Sequence, residues 1–160
     1  LDPAVFSFLY PKMLQHYQAN QIQAYRKVFN ELIWSTLFIS LLLGGFIWLM
    51  MPYIIHWLDI PLYGEYLASL NVLILAGFLY ALSMIPHYAL YAMKKDKWIA
   101  ASHITALVLF LISIMFFQFQ QSIETVGFAL CIAFGWMLTL KTVALTLFSK
   151  THTPVYEGVK

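Results

Sequence analysis

The sequence predicts an all-α polytopic membrane protein. Hydrophobic residues make up 62% of the chain and charged residues only 10%, and the mean hydropathy is +0.77. A typical soluble domain is about 45–50% apolar and about 25% charged. The apolar residues form long runs, and a run of about 20 residues, rising 1.5 Å each, crosses the roughly 30 Å of bilayer hydrocarbon. The alternation typical of barrel strands is absent.

The polar segments divide the chain into the end of one helix and four complete membrane helices. We predict a helix end at 4–17, an interfacial lead-in at 21–31, spans at about 32–53, 67–93, 98–119 and 126–148, and a polar tail at 149–160. The first apolar stretch is too short to cross a bilayer. The chain begins at Leu1 without an initiator Met or the features of a signal peptide. We therefore expect natural sequence upstream of Leu1.

The basic residues predict the orientation of the spans. They occur before the first span, between the second and third, and after the fourth: Lys12, Arg26, Lys27, Lys94, Lys95, Lys97, Lys150 and Lys160. The loops at 55–66 and 118–125 contain neither Lys nor Arg. Because basic residues are enriched in cytoplasmic loops, this alternation predicts that both ends of the chain are cytoplasmic.

The composition argues against several classes of function. A formal net charge of +2, with the charges at segment ends, indicates no nucleic-acid partner. The single cysteine, Cys131, excludes an internal disulfide and a cysteine metal cluster. We see neither a Ser–His–Asp arrangement nor paired carboxylates at membrane depth, so we expect no enzyme, no cofactor and no metal. The histidines also lack metal-ligand spacing: His16, His56, His87, His103 and His152.

Lys141 is the most informative polar residue. It precedes Lys150 by nine residues, which places it about 13 Å from the cytoplasmic end of its span at 1.5 Å per residue. A charged group at this depth costs about 2.5–3.5 kcal/mol or more unless it meets water or a partner. One hypothesis places Lys141 in a wet cavity, where it attracts a substrate phosphate. The alternative is a lysine that reaches the headgroups through tilt or bending of its helix.

Two histidines lie inside the predicted spans. His87 follows Pro86, which removes a backbone hydrogen bond and can kink the helix. These two residues are gating candidates, and the alternative is a kink near the interface with His87 at the headgroups. His103 lies early in its span, where an interfacial or hydrogen-bonded histidine is favoured over a proton relay.

Small residues and interfacial cations complete the set of candidates. Gly127, Cys131 and Gly135 recur every four residues on one helix face, a pattern typical of close helix packing. Arg26 and Lys27 lie at the predicted cytoplasmic surface. They are candidates for capturing an anionic substrate, and orientation with attraction to anionic lipid is the alternative explanation.

Several short segments occur in an order that is typical of one superfamily of exporters. They are Phe8-Leu9-Tyr10-Pro11-Lys12, Leu49-Met50-Met51-Pro52, Tyr63-Gly64-Glu65-Tyr66, Asn71-Val72-Leu73-Ile74-Leu75-Ala76, Met93-Lys94-Lys95-Asp96-Lys97 and Glu124-Thr125-Val126-Gly127-Phe128-Ala129. In these segments the chain resembles the multidrug/oligosaccharidyl-lipid/polysaccharide exporters, and within them the O-antigen and polysaccharide flippases.

The resemblance implies a C-terminal fragment of a fold in which two helical bundles surround a central cavity. It also implies a multi-pass protein of the plasma (inner) membrane that moves lipid-linked oligosaccharides or polysaccharide precursors by alternating access. The implied partners are the lipid-linked glycan, membrane lipids and other polysaccharide-assembly membrane proteins.

Other functions stay open as alternatives. A multidrug-type, cation-coupled exporter of the same fold would need an acidic residue inside the bundle, and the predicted spans contain none at depth. A membrane-embedded glycan polymerase or acyltransferase would need a histidine or an acid on an outer loop, where His56, Asp59 and Glu65 are the local candidates. A scaffold without transport activity is a further alternative.

Overall fold

The computed structural model describes residues 2–58, 67–117 and 124–151. They form, in chain order, α1 (Asp2–Gln18), α2 (Ile22–Leu58), α3 (Leu67–Ala92), α4 (Asp96–Phe117) and α5 (Glu124–Thr151). Four of these helices, α2, α3, α4 and α5 up to Ser149, are long and apolar enough to cross a membrane. The prediction of an all-α chain with four membrane-length helices is thus confirmed, and none of the described residues forms a strand. The outer-loop candidates Asp59 and Glu65 and the tail from residue 152 lie outside the described residues.

Helix α2 joins the predicted lead-in and the predicted first span in one helix of 37 residues. Apolar residues recur at helical spacing from Ile22 onward, and no Gly or Pro interrupts them before Gly44. At 1.5 Å per residue the helix is about 55 Å long, well beyond the roughly 30 Å of hydrocarbon. Its first turns carry the exposed Arg26 and Lys27.

Three prolines, Pro11, Pro52 and Pro86, lie inside helices that continue past them. α2 runs on from Pro52 to Leu58, and α3 runs on from Pro86 to Ala92. The structure therefore ends α2 five residues beyond the predicted limit at residue 53. A proline removes one backbone hydrogen bond, and helices in membranes tolerate this loss where neighbouring groups satisfy the freed carbonyl.

Two tight turns end α1 and α3 in the same way. Asn20 and Lys94 have positive φ angles of 55° and 56°. After α3 the amide of Lys95 donates to the carbonyl of Leu90 at 3.0 Å. After α1 the amide of Gln21 donates to the carbonyl of His16 at 2.9 Å. This is the Schellman arrangement, whose left-handed residue is usually Gly and sometimes Asn. Lys94 therefore occupies a position at which a side chain is strained.

Helix α3 lies at the centre of the bundle. It packs on α5 over much of its length and also contacts α2 and α1, whereas α4 packs mainly on α5. One apolar cluster joins α1, α2 and α3, and two more join α4 and α5, one of them including Leu90 of α3. Their buried members are Met13, Val28, Leu32, Met84 and Ala92 in the first, Leu90, Ile99 and Ala144 in the second, and Ala106, Ala133 and Met137 in the third.

Helices α3 and α5 approach each other closely near the start of both helices. A Cβ added to Gly127 would lie only 2.9 Å from Val72 Cγ1. One turn later, Cys131 Sγ lies 3.5 Å from the carbonyl oxygen of Val72. By contrast, a Cβ added to Gly135 would meet nothing within 4 Å. The close approach thus involves two of the three predicted packing residues.

Helix α2 packs through one narrow stripe and leaves most of its surface exposed. Its buried residues, Val28, Leu32, Thr36 and Ser40, recur every four positions. Beyond Ser40 the exposed side chains are large and apolar, which suits contact with lipid chains. They are Leu41, Leu42, Leu43, Phe46, Ile47, Trp48, Leu49, Met50, Tyr53, Ile54, Trp57 and Leu58.

Alanine substitutions at Gly127 and Gly135 are expected to change stability in opposite directions. Gly127→Ala pushes a methyl group into the stiff, β-branched Val72 and should cost about 1–3 kcal/mol. Gly135→Ala adds a methyl group to open space and should stabilise the helix by about 0.5–1 kcal/mol. Unfolding in mixed micelles, followed by circular dichroism, measures both. Equal effects of the two substitutions would contradict the close approach.

Replacing Lys94 with glycine is expected to stabilise the turn between α3 and α4. A residue other than glycine in the left-handed region costs about 1–2 kcal/mol, and part of this is returned as the greater chain entropy of unfolded glycine. We expect a net gain of about 0.5–1 kcal/mol in the same unfolding assay. Asn20→Gly is the matched control, and its gain should be smaller because asparagine tolerates this conformation.

Candidate functional site

Three basic side chains from three helices meet where α3, α4 and α5 pack together. Lys141 of α5 places its Nζ 3.5 Å from Nε2 of His103 on α4. The ring of His103 faces that of His87 on α3, with ring centroids 5.8 Å apart and ring planes at 80°. We call these three residues the basic cluster. The cluster cannot be recognised from the sequence, because Lys141 and His103 are 38 residues apart.

The register of the helices explains why these residues meet. Val72 lies against Gly127 and Leu90 clusters with Ala144, so α3 and α5 run parallel at an offset of 54 to 55 residues. The same offset puts Lys141 level with His87. The tight turn after α3 sends α4 back antiparallel, and His103 therefore returns to the height of His87.

The basic cluster lies within the membrane-length part of its helices. His87 is five residues before the end of α3, and His103 is seven residues after the start of α4. Lys141 is ten residues before the end of α5. At 1.5 Å per residue these separations correspond to depths of about 8–15 Å. The cluster is therefore in the half of the bundle nearest the turn that carries Lys94 and Lys95.

Lys141 is enclosed completely, with 0% of its surface exposed. On the same face of α5, Met137 and Ala144 belong to two different apolar clusters, so the lysine lies between them. Among the described residues no carboxylate pairs with it, and His103 is its hydrogen-bond partner. A buried charge without a partner of opposite sign is unfavourable for stability.

Hydrogen-bond chemistry assigns the tautomer of His103. A lysine ammonium has three N–H donors and no acceptor. Lys141 therefore donates to His103 Nε2, and neutral His103 must carry its hydrogen on Nδ1. The distance of 3.5 Å is at the long limit for such a bond.

The other two members of the cluster differ in their access to the surroundings. His103 is exposed on the surface of the bundle, whereas His87 is half-buried. His87 Nδ1 is buried and has no hydrogen-bond partner in the described part of the chain. Its ring also meets the edge of Tyr88 at 5.3 Å. His87 Nδ1 therefore has hydrogen-bonding capacity that the described residues leave unused.

The sequence offered alternative roles for Lys141, His87 and Pro86, and the positions of these residues can now be compared with those roles. A lysine that reaches the headgroups does not fit a Lys141 side chain enclosed against His103. The buried Nδ1 of His87 likewise does not fit an interfacial histidine. Pro86 is buried inside an uninterrupted α3. Their roles in substrate binding and gating stay predictions.

Arg26 and Lys27 are separate from the basic cluster. Both are exposed in the first turns of α2, near the end of α1. The structure therefore leaves them as surface cations.

Two grooves flank the packing of α2 on α3. Their volumes are about 340 and 380 Å³, and both are lined by Ser40, Gly44 and Ile74. Their lining is otherwise almost entirely apolar, apart from Asn71 in the larger groove. Such surfaces suit lipid chains rather than a charged ligand.

No protein-family model, no curated protein and no solved structure matches this chain.

The assigned tautomer of His103 can be measured directly. In protein labelled with ¹⁵N in its histidine rings, we expect His103 to show the Nδ1–H tautomer at neutral pH, because Lys141 occupies Nε2. Lys141→Met removes the donor and should return His103 to the Nε2–H tautomer that free imidazoles prefer. His16, which is outside the cluster, should not change. The Nε2–H pattern for His103 in both proteins would contradict the contact.

Proposed function

We propose that this chain is part of a membrane transporter that flips lipid-linked oligosaccharide or polysaccharide precursors across the plasma membrane by alternating access. The observation that carries the proposal is the enclosed Lys141, joined to two histidines at membrane depth without a described carboxylate. An ionisable residue inside a membrane bundle is by default a functional-site hypothesis.

The charge of the site fits the charge of the proposed substrate. Lipid-linked glycans join sugar to lipid through phosphate groups, which are anionic and accept hydrogen bonds. In a low-dielectric interior a lysine attracts such a group more strongly than it would in water. Lys141 also binds as a compact point charge, which suits a substrate that must leave again.

The surroundings of the site fit the lipid part of the substrate. Exposed apolar residues follow the outer surface of α4, among them Ile104, Leu107 and Leu111. One of them, Ile104, directly follows His103, so a lipid chain on α4 brings its phosphate close to His103. Arg26 and Lys27 offer an earlier contact at the cytoplasmic surface.

The segments that resemble polysaccharide flippases support the same proposal. They include the start of α3, the turn between α3 and α4, and the start of α5. The charge pattern also distinguishes the proposal from its nearest rival. A multidrug-type, cation-coupled exporter would use an acid inside the bundle, whereas the described helices place a lysine and two histidines there.

Transport by the intact protein in proteoliposomes tests the proposal. With a fluorescent lipid-linked oligosaccharide, Lys141→Ala should slow flipping at least about tenfold, since losing about 1.4 kcal/mol of phosphate binding corresponds to that factor. Lys141→Arg keeps the charge and should retain measurable transport. Lys97→Ala is the control, because Lys97 is exposed at the turn between α3 and α4. Full activity of both Lys141 variants would contradict the proposal.

A further inference from the structure

We infer that His103 takes up a proton when an anion binds at Lys141 and releases it when the anion leaves. The inference rests on the proposed function, because it concerns the same phosphate-binding site. It adds a role for His103 that the contact with Lys141 makes necessary.

The first step concerns donors and acceptors. In the empty cluster His103 Nε2 is the acceptor for Lys141 at 3.5 Å. A phosphate offers only acceptors to its surroundings once it is ionised. When its oxygens replace Nε2 as the partner of Lys141, the lone pair of Nε2 faces another lone pair. The contact becomes favourable once Nε2 carries a hydrogen.

The second step concerns charge. A diphosphate that joins a sugar to a lipid keeps one ionised oxygen on each phosphate, so it carries about two negative charges at neutral pH. Lys141 supplies one positive charge, and the described residues of the cluster supply no other positive charge while both histidines are neutral. Charge left uncompensated inside a membrane is costly. A proton on Nε2 of His103, with Nδ1 already protonated, gives an imidazolium that offsets the second charge.

The third step concerns which member of the cluster the proton reaches. The titratable groups that face one another are His87 from α3, His103 from α4 and Lys141 from α5, with Tyr88 against the ring of His87. Lys141 is enclosed and His87 is half-buried, whereas His103 is exposed. The proton therefore comes from the side on which the anion arrives. One N–H bond forms on binding, and the same bond breaks on release.

The consequence is a defined dependence of anion affinity on pH. If one proton binds together with the anion, acid strengthens binding by up to about tenfold per pH unit while His103 is neutral in the empty site. Transport of the anion then carries one proton with it. The net negative charge moved across the membrane is then smaller by one than the charge of the anion alone.

The test uses the intact protein in lipid nanodiscs and farnesyl diphosphate as the probe, with farnesol as the uncharged control. Isothermal titration calorimetry in buffers of different ionisation enthalpy counts the protons taken up on binding. We compare wild type with His103→Gln, which keeps an acceptor for Lys141 and cannot titrate. His16→Gln is the matched control, because His16 lies outside the cluster. The diphosphate also binds protons near neutral pH, so the titrations are run at a pH at which free farnesyl diphosphate is fully ionised.

We expect wild type and His16→Gln to take up about one proton more than His103→Gln, and Lys141→Gln to lose at least about tenfold in affinity. Equal proton uptake in wild type and His103→Gln would overturn the inference about His103 and leave the anion site in place. Equal binding of farnesol, unchanged binding by Lys141→Gln, or no binding by wild type would overturn both the inference and the proposed phosphate site.

Discussion

The close packing of α3 on α5 is the constraint on which the rest of the structure depends. Lipid chains are as apolar as leucine, so helices in a membrane associate through tight packing rather than through the hydrophobic effect. Gly127 provides that packing, since a side chain there would collide with Val72. Because a helix rises by a constant amount per residue, the contact also sets the height of every later residue of α5 against α3. Lys141 reaches the level of His87 for this reason.

The basic cluster is polar, whereas the side chains packed around it are apolar. Directly before and after Lys141 on the same face of α5 lie members of apolar clusters, which could continue through this position without a charge. A lysine there has a neutral histidine at 3.5 Å as its partner and no described carboxylate. Replacing a buried charge with an apolar residue is often neutral or stabilising. Stability therefore gives no reason for Lys141, and ligand binding gives one.

The helices could be predicted closely from the sequence, and their limits less closely. Apolar runs and basic turns predicted the four long helices, because length and composition decide whether a segment suits hydrocarbon. The limits of α2 differ because Pro52 does not end a helix whose carbonyls can be satisfied locally. Gly127 and Gly135 are equivalent by spacing, yet only Gly127 meets a neighbouring helix closely. The spacing of small residues defines one face of a helix, but it does not show along what length of that face a second helix packs closely.

The sequence by itself determined the fold class, the number of long helices and the approximate distance of Lys141 from the end of its helix, because these depend on local composition and on a fixed rise per residue. Only the tertiary structure decided what Lys141 touches. The sequence favoured an interfacial or hydrogen-bonded His103 over a proton relay but did not identify its partner, since the rotation of α4 about its axis is not encoded in its apolar run. The turn at Lys94 and the packing of both helices on α5 settle that rotation. They bring three basic side chains together because helix register and rotation are properties of contacts between segments.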